Sequence, residues 1–230
     1  MSSTRRPPAS DDRTRGVAGV GERRWPVALA VVVAIIMTFL LPASVRLGPA
    51  WIVPLIEGFL LGALVIGDPG RIDRRSKVLR GLSIGLVSVL LVTSLSFTEQ
   101  LISDLITGGP ATNSAGVLLR AGAGVWVANN IAFALLYWEL DSGGSAARVH
   151  SELRRPDLAF PQQLSPGLGW DHWRPQFIDY LYLGFTNATA FSPTDVMPLV
   201  PWAKLTMMVQ SLLSLAILGL VIARAVNVLA

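Results

Sequence analysis

Long apolar segments separated by short charged loops are the feature that most constrains this chain of 230 residues. Five such segments cover residues 25–45, 50–67, 78–97, 114–140 and 204–229. A helix needs about 20 apolar residues to cross the roughly 30 Å of hydrocarbon in a bilayer. We therefore predict an all-α, polytopic membrane helix bundle with five full spans, and we expect the lipid bilayer to be its first partner.

The composition excludes several other classes of protein. Only 15% of the residues are charged and 52% are hydrophobic, whereas soluble domains carry roughly 25% charge. The net charge of +4 comes from arginines between the apolar segments, so no nucleic-acid partner is expected. The sequence has no cysteine and no phosphate loop, GxSxG or HExxH motif. We predict no enzyme activity, no cofactor and no metal site.

The distribution of Lys and Arg predicts the orientation of the chain. Six arginines lie in residues 1–24, a polar tail predicted to be disordered, and five basic residues lie in 71–80. The loop at 43–50 has one basic residue and the loop at 98–113 has none. Because basic loops stay on the cytoplasmic side, we expect a cytoplasmic N-terminus, a four-helix membrane domain over 25–140 and a location in the cell (inner) membrane.

The C-terminal part contains a polar connecting segment, residues 141–175, followed by a sixth apolar stretch at 176–203. That stretch carries polar residues, Asp195 among them, and its prolines limit a helix to about 176–191. It is either a sixth, polar span or a re-entrant helix. The charge distribution favours a sixth crossing, with the C-terminus in the cytoplasm, whereas a re-entrant helix would leave the C-terminus outside.

Residues 180–205, YLYLGFTNATAFSPTDVMPLVPWAKL, combine an aromatic helix with small, acidic and Trp-small-basic positions in a characteristic order. The residues at those positions are Ala188-Thr189, Asp195, Pro198 and Trp202-Ala203-Lys204. This order resembles the pore loop and inner helix of tetrameric potassium-type cation channels, and the resemblance covers residues 176–230. It implies a homo-oligomer of four copies around a path for a monovalent cation. The resemblance also implies that the pore is lined by Thr189, Ser192, Thr194 and Asp195.

The filter position differs from that of the potassium channels. Where those channels have TVGYG, this chain has AFSPT at residues 190–194. The segment has no glycine, and Pro193 fixes its own φ, so a ladder of carbonyls selective for potassium is not expected. The resemblance therefore implies a cation pore with a non-potassium filter. The overall pattern is similar to bacterial multi-pass inner-membrane proteins with a channel-like C-terminal half.

Polar side chains within the apolar segments are the other candidate site residues. Glu57 and Arg120 lie at similar depth, so we predict an ion pair that is either a packing clamp or part of a proton or ion pathway. In a third alternative the two residues never meet. Asn129, Asn130 and Gln210 are expected to form hydrogen bonds between helices. Adjacent positions differ by about 100° on a helix, so Asn129 and Asn130 should face different partners.

Two other functions stay open beside the pore. One is a proton- or ion-coupled transporter of small solutes, with a polar site inside one chain around Glu57, Arg120 and Asn129. The other is a non-transporting membrane scaffold that docks partners on residues 141–175. Three pairs of small residues one helical turn apart predict close helix packing within the chain or between subunits. These pairs are Gly58 and Gly62, Gly81 and Gly85, and Gly219 and Ala223.

Overall fold

Helices make up most of the chain in the computed structural model, which describes residues 21–46, 48–72, 74, 76–109, 114–150, 156–165, 168–170, 173–189 and 195–229. The helices are α1 (Trp25–Leu40), α2 (Ile52–Gly67), α3 (Lys77–Thr107), α4 (Ala115–Leu140), α5 (Ser145–His150), α6 (Phe177–Thr189) and α7 (Pro201–Leu229). The short strands are β1 (Glu22–Arg23), β2 (Arg71–Ile72), β3 (Leu158–Ala159) and β4 (Met197–Pro198). Strand β1 pairs with β2, and β3 pairs with β4, both antiparallel. The all-α prediction is confirmed.

Three helices, α3, α4 and α7, are long and apolar enough to cross a membrane. Helices α1 and α2 are apolar but have only 16 residues each. Each is therefore about 24 Å long, which is shorter than the roughly 30 Å of hydrocarbon. Helix α1 ends early because Leu41, which precedes Pro42, adopts an extended conformation with ψ of 144°. Five spans of full length are thus not formed by the described residues.

Large apolar side chains cover the outside of the bundle. The exposed fraction reaches 71% for Phe59, 82% for Ile66 and 65% for Leu212. Soluble domains rarely leave a wide apolar surface in water, whereas lipid tails accept one without cost. The apolar exterior and the three long helices agree with a multi-pass membrane protein.

Helix α3 extends ten residues beyond the predicted span at 78–97. The segment after residue 97 was expected to be a loop, but the helix continues to Thr107 and ends at Gly108, whose φ is +78°. Leu101 and Leu105 lie one turn apart and are buried, while Glu99 is exposed. Glu99 therefore belongs to the exposed face of an amphipathic helix end, and its polarity does not mark a loop.

The ends of α1 to α4 define what we call the basic end of the bundle, where α1 and α3 begin and α2 and α4 end. Arg24, before α1, forms an ion pair of 2.9 Å with Asp68, after α2. Ser83 of α3 donates a 2.6 Å hydrogen bond to Glu139 of α4. Residues 21–24 were predicted to belong to a disordered tail, but they are ordered here because β1 pairs with β2.

Helix α4 lies at the centre of the bundle and packs against α1, α3, α6 and α7, whereas α2 packs against α1 and α3. Residues 128–135 of α4 are all buried. Helix α7 packs closely on α4 at Gly122, where an added Cβ would lie 2.8 Å from Val221. We predicted close packing within the chain at five other glycines. That prediction is wrong for all five, because a Cβ added at any of them would meet no described atom within 4 Å. These are Gly58, Gly62, Gly81, Gly85 and Gly219.

Candidate functional site at the half-helix α6

Helix α6 is entered and left at the same end of the bundle. At its start, the Phe177 amide donates a 2.5 Å hydrogen bond to Glu22, beside the start of α1. After α6, strand β4 pairs with β3, and the Leu199 amide donates to the carbonyl of Asp157 at 2.9 Å. The Asp157 amide in turn donates to Asp141, at the end of α4. Both ends of the α6 hairpin therefore lie at the basic end.

The contacts of α6 fix its direction and depth. Phe177 packs edge-on against Trp138 near the end of α4, and Phe185 packs edge-on against Trp126, three turns earlier in α4. Helix α6 therefore runs antiparallel to α4 and parallel to α7. With 13 residues it is about 20 Å long, so its C-terminal end lies at mid-height in the bundle. The favoured sixth crossing is wrong, because α6 does not reach the opposite end, and the re-entrant alternative describes it.

Gln210 of α7 joins three helices through its side-chain amide. Its Oε1 accepts hydrogen bonds from the Tyr137 hydroxyl of α4 and from Nδ2 of Asn187 in α6, both at 2.8 Å. Its Nε2 donates to the carbonyl of Gly184 at 3.0 Å. Gln210 is only 1% exposed. The predicted role of Gln210 in hydrogen bonding between helices is confirmed, and Tyr137 and Asn187 are partners that the sequence alone did not single out.

Asn187 extends this cluster along α7. Its Nδ2 also donates to the carbonyl of Met207 at 2.9 Å, and its Oδ1 accepts from the Ser211 hydroxyl at 3.1 Å. Both polar atoms of the Asn187 side chain are thus bonded to α7. The available signal was an asparagine in an aromatic helix, two residues before the helix ends, but the NAT sequence there also matches a glycosylation pattern.

Gly184 lets α6 approach α4 closely. A Cβ at this position would lie 2.6 Å from Oδ1 of Asn130 and 3.4 Å from its carbonyl oxygen. The Oδ1 atom of Asn130 is buried and has no hydrogen-bond partner among the described residues. Glycine is therefore required here by close packing.

Asn129 faces a different helix from Asn130, as the angle of about 100° between adjacent helix positions predicts. Its Oδ1 accepts from the Ser94 hydroxyl and its Nδ2 donates to Oγ1 of Thr98, both at 2.6 Å. Asn129 therefore links α4 to α3, whereas Asn130 faces α6. Both bonds of Asn129 are helix–helix contacts.

Glu57 and Arg120 do not form the predicted ion pair. Glu57 is fully buried, and neither of its carboxylate oxygens has a hydrogen-bond partner among the described residues. Arg120 is exposed on α4. The prediction considered the depth of the two residues but not which helices are neighbours: α2 and α4 both pack on α1 and α3, and α4 is not among the main neighbours of α2.

The residues predicted to line a pore are only partly described. Thr189 ends α6, is half-buried, and donates from its Oγ1 to the carbonyl of Thr186 at 2.9 Å. Asp195 is exposed on the return segment before β4. Ser192 and Thr194 lie outside the described residues.

Asp141 anchors the return of the chain at the basic end. Its carboxylate is fully buried and accepts hydrogen bonds from the Tyr180 hydroxyl at 2.5 Å and from the Asp157 amide at 3.0 Å. Arg148 donates to the carbonyls of Trp138 and Asp141, and its guanidinium carbon lies 5.0 Å from the centre of the Tyr180 ring. These contacts attach the polar connecting segment to both α4 and α6.

Glu22 holds the first turn of α6. Its carboxylate accepts from the Phe177 amide and, at 2.9 Å, from the indole N–H of Trp138. Burial raises the pKa of Glu22 above its ordinary value of 4.5, although these hydrogen bonds and the charge of Arg148 act in the opposite direction. A carboxylate before α1 therefore fixes a helix that lies 155 residues later in the chain.

Comparison of this chain with known protein families, with curated proteins and with solved structures found no match.

Proposed function

We propose that this chain is the subunit of a homo-oligomeric membrane pore that conducts small cations. The observation that carries the proposal is the half-helix α6, which enters and leaves at the basic end and stops at mid-height. Non-spanning backbone at membrane depth is tolerated only where protein or a water-filled path surrounds it. A hairpin of this shape therefore favours a polar path beside the end of α6.

The electrostatics of α6 favour a cation over an anion. The last four carbonyls of a helix lack helical partners, and the C-terminal end carries roughly half a negative charge. In α6 this end is at Thr189, inside the bundle. Asp195 follows on the return segment and is exposed. A cation near the end of α6 would meet carbonyl and hydroxyl oxygens, and a cation that entered along the return segment would meet the Asp195 carboxylate.

The outer face of α6 and α7 supports an assembly of several copies. A groove of about 450 Å³ opens along this face and is lined by Asn187, Lys204, Met207 and Ser211 among others. Large side chains on both helices are exposed beside the groove, including Tyr182 at 56% and Met208 at 59%. The proposed path forms between copies of the chain, beside this groove. By its resemblance to tetrameric channels, we propose four.

Cation flux into liposomes tests this function. Asp195→Asn should reduce the flux of Na⁺ or K⁺ several-fold, because an anionic ring concentrates cations. Glu99→Gln is the matched control, since it removes an exposed carboxylate from the far end of α3. Unchanged flux in Asp195→Asn, or a monomeric mass in detergent and in nanodiscs, would contradict the proposal.

A second candidate function, proton-coupled transport, is favoured by one observation, the buried and unpartnered Glu57 of α2. A carboxyl without a partner in an apolar bundle is the type of group that carries protons in transporters. Under this function Glu57→Gln abolishes proton uptake into proteoliposomes, while Asp195→Asn leaves it intact. The pore proposal expects Asp195→Asn to reduce cation flux and Glu57→Gln to leave it unchanged.

A further inference from the structure

A cavity of about 390 Å³ lies at the basic end, where α1, α2, α3 and α4 meet. It is separate from the α6 hairpin and shares none of the residues proposed to line the pore. Its wall combines the first turns of α3, the end of α4 and the backbone around Gly144. The charged and polar side chains that line the cavity include those of Arg24, Asp68, Lys77, Arg80, Ser83 and Glu139.

The cavity wall has an excess of positive charge. Arg24 and Asp68 neutralise each other, since Arg24 donates to the Asp68 carboxylate at 2.9 Å and to its carbonyl at 2.8 Å. In the described part of the chain, Lys77 and Arg80 are both exposed and make no hydrogen bond or ion pair. Arg74 also lines the cavity and donates to the carbonyl of Gly67.

Glu139 is the remaining acid in the wall. Its Oε2 accepts a 2.6 Å hydrogen bond from Ser83, and it lies within electrostatic range of Arg80. Among the described residues of the wall, one acid outside the Arg24–Asp68 pair therefore faces three cations, Arg74, Lys77 and Arg80. The net charge favours an anionic ligand.

Backbone groups add donors to the same wall. The amides of the first turn of α3 have no helical acceptor, and Ser76 provides no side-chain cap. Opposite them, Gly144 has a φ of +97°, and a Cβ there would lie 3.0 Å from Nη1 of Arg80 and 3.3 Å from Oε1 of Glu139. Glycine thus keeps this side of the cavity open, and Arg80 is free to turn toward a ligand.

We propose that this cavity binds a phosphate group through Lys77, Arg80 and the amides at the start of α3. Phosphate accepts several hydrogen bonds at once from arginine, lysine and backbone amides. The cavity lies at the ends of the helices, the level at which the phosphates of a bilayer lie. The phosphate belongs either to an anionic lipid or to a soluble compound. The binding is independent of whether α6 forms a pore.

Binding to the purified full-length protein in detergent tests the proposal with two probes. Phosphatidylglycerol is titrated by native mass spectrometry against phosphatidylcholine, and inorganic phosphate is titrated by thermal shift against chloride at equal ionic strength. Arg80→Gln should weaken binding about tenfold, because it removes a charge-assisted hydrogen bond. Arg23→Gln is the matched control, since Arg23 is an exposed cation of the basic end outside the cavity wall.

The two probes separate the sources of the phosphate. Selective binding of phosphatidylglycerol alone assigns the cavity to a lipid headgroup, and binding of inorganic phosphate as well assigns it to a soluble ligand. The proposal is overturned if neither probe binds, or if Arg23→Gln weakens binding as much as Arg80→Gln. Lys77→Gln provides a second, independent variant with the same expected direction.

Discussion

The polar cluster around Gln210 and the site of Glu57 are both buried among apolar helices, but they differ in how their polar atoms are satisfied. Gln210 bonds to three neighbouring groups on two other helices. Glu57 bonds to none in the described structure. Buried polar groups stabilise a fold when their partners are complete and cost free energy when they are missing. Gln210 therefore has a structural role, whereas the Glu57 carboxyl is available to bind or release a proton.

The largest effect is expected for Gln210→Leu. The substitution removes the acceptor of Tyr137 and the donor to the Gly184 carbonyl, and each buried group left unpaired costs about 1–3 kcal/mol. We expect the free energy of unfolding to fall by at least about 2 kcal/mol. Thr206→Val is the control, because Thr206 donates only to a carbonyl of its own helix. Equal losses in the two variants, measured by denaturant titration in micelles, would remove the structural role of the cluster.

A somewhat smaller effect is expected for Gly184→Ala. The new Cβ would lie 2.6 Å from Oδ1 of Asn130, and overpacking of this kind typically costs about 1–3 kcal/mol. The same change at Gly85, where the added Cβ meets open space, should stabilise α3 by up to about 1 kcal/mol. Adding Asn130→Ala to Gly184→Ala should restore part of the loss in thermal unfolding. A double variant no more stable than Gly184→Ala would place the clash elsewhere.

The substitution Glu57→Gln tests whether Glu57, unlike Gln210, lacks stabilising partners. Because the carboxylate has no partner to lose, we expect the free energy of unfolding to stay within about 1 kcal/mol of the parent or to rise. A loss of more than about 2 kcal/mol in the same denaturant titration would mean that Glu57 is as fully partnered as Gln210.

The smallest effect is expected for the contribution of Glu22 to the pH dependence of folding stability. Its pKa is higher in the folded chain than the ordinary value of 4.5, so the folded state binds the proton more tightly than the unfolded state. The contribution of Glu22 to stability is then greatest below pH 4.5 and declines as the pH rises through the raised pKa. Glu22→Gln should flatten this part of the pH profile of stability, measured between about pH 4 and 7. An unchanged slope would exclude Glu22 as its source.

The apolar segments predicted the helices well, because burial of apolar surface and helix period are local properties of the sequence. The predicted segments contain most of α1, α2, α4 and α7, and α6 lies within the range 176–191 that was predicted for it. The predicted length of α3 is too short, because Glu99 suggests a loop in the sequence. An exposed carboxylate is nevertheless compatible with the end of a packed helix.

The partners of the polar residues could not be predicted from the sequence. The Glu57–Arg120 pair was inferred from depth, which sequence spacing gives, but contact also depends on which helices are neighbours. The bond from Phe177 to Glu22 spans 155 positions, and nothing local to either residue indicates it. The direction of α6 likewise depends on β3, β4 and Asp141, which charge counting does not detect.

The unequal lengths of neighbouring helices impose a shape on the surrounding lipid. Helix α3 has 31 residues and is about 46 Å long, while α2, which packs on it, and α1, which packs on α2, are each about 24 Å. If all three helices cross the bilayer, α3 would lean over or project, and the α1–α2 hairpin would draw the headgroups inward. The annulus beside that hairpin would then be thinner than the membrane around it. A change in acyl-chain length would therefore act first on the α1–α2 side of the protein.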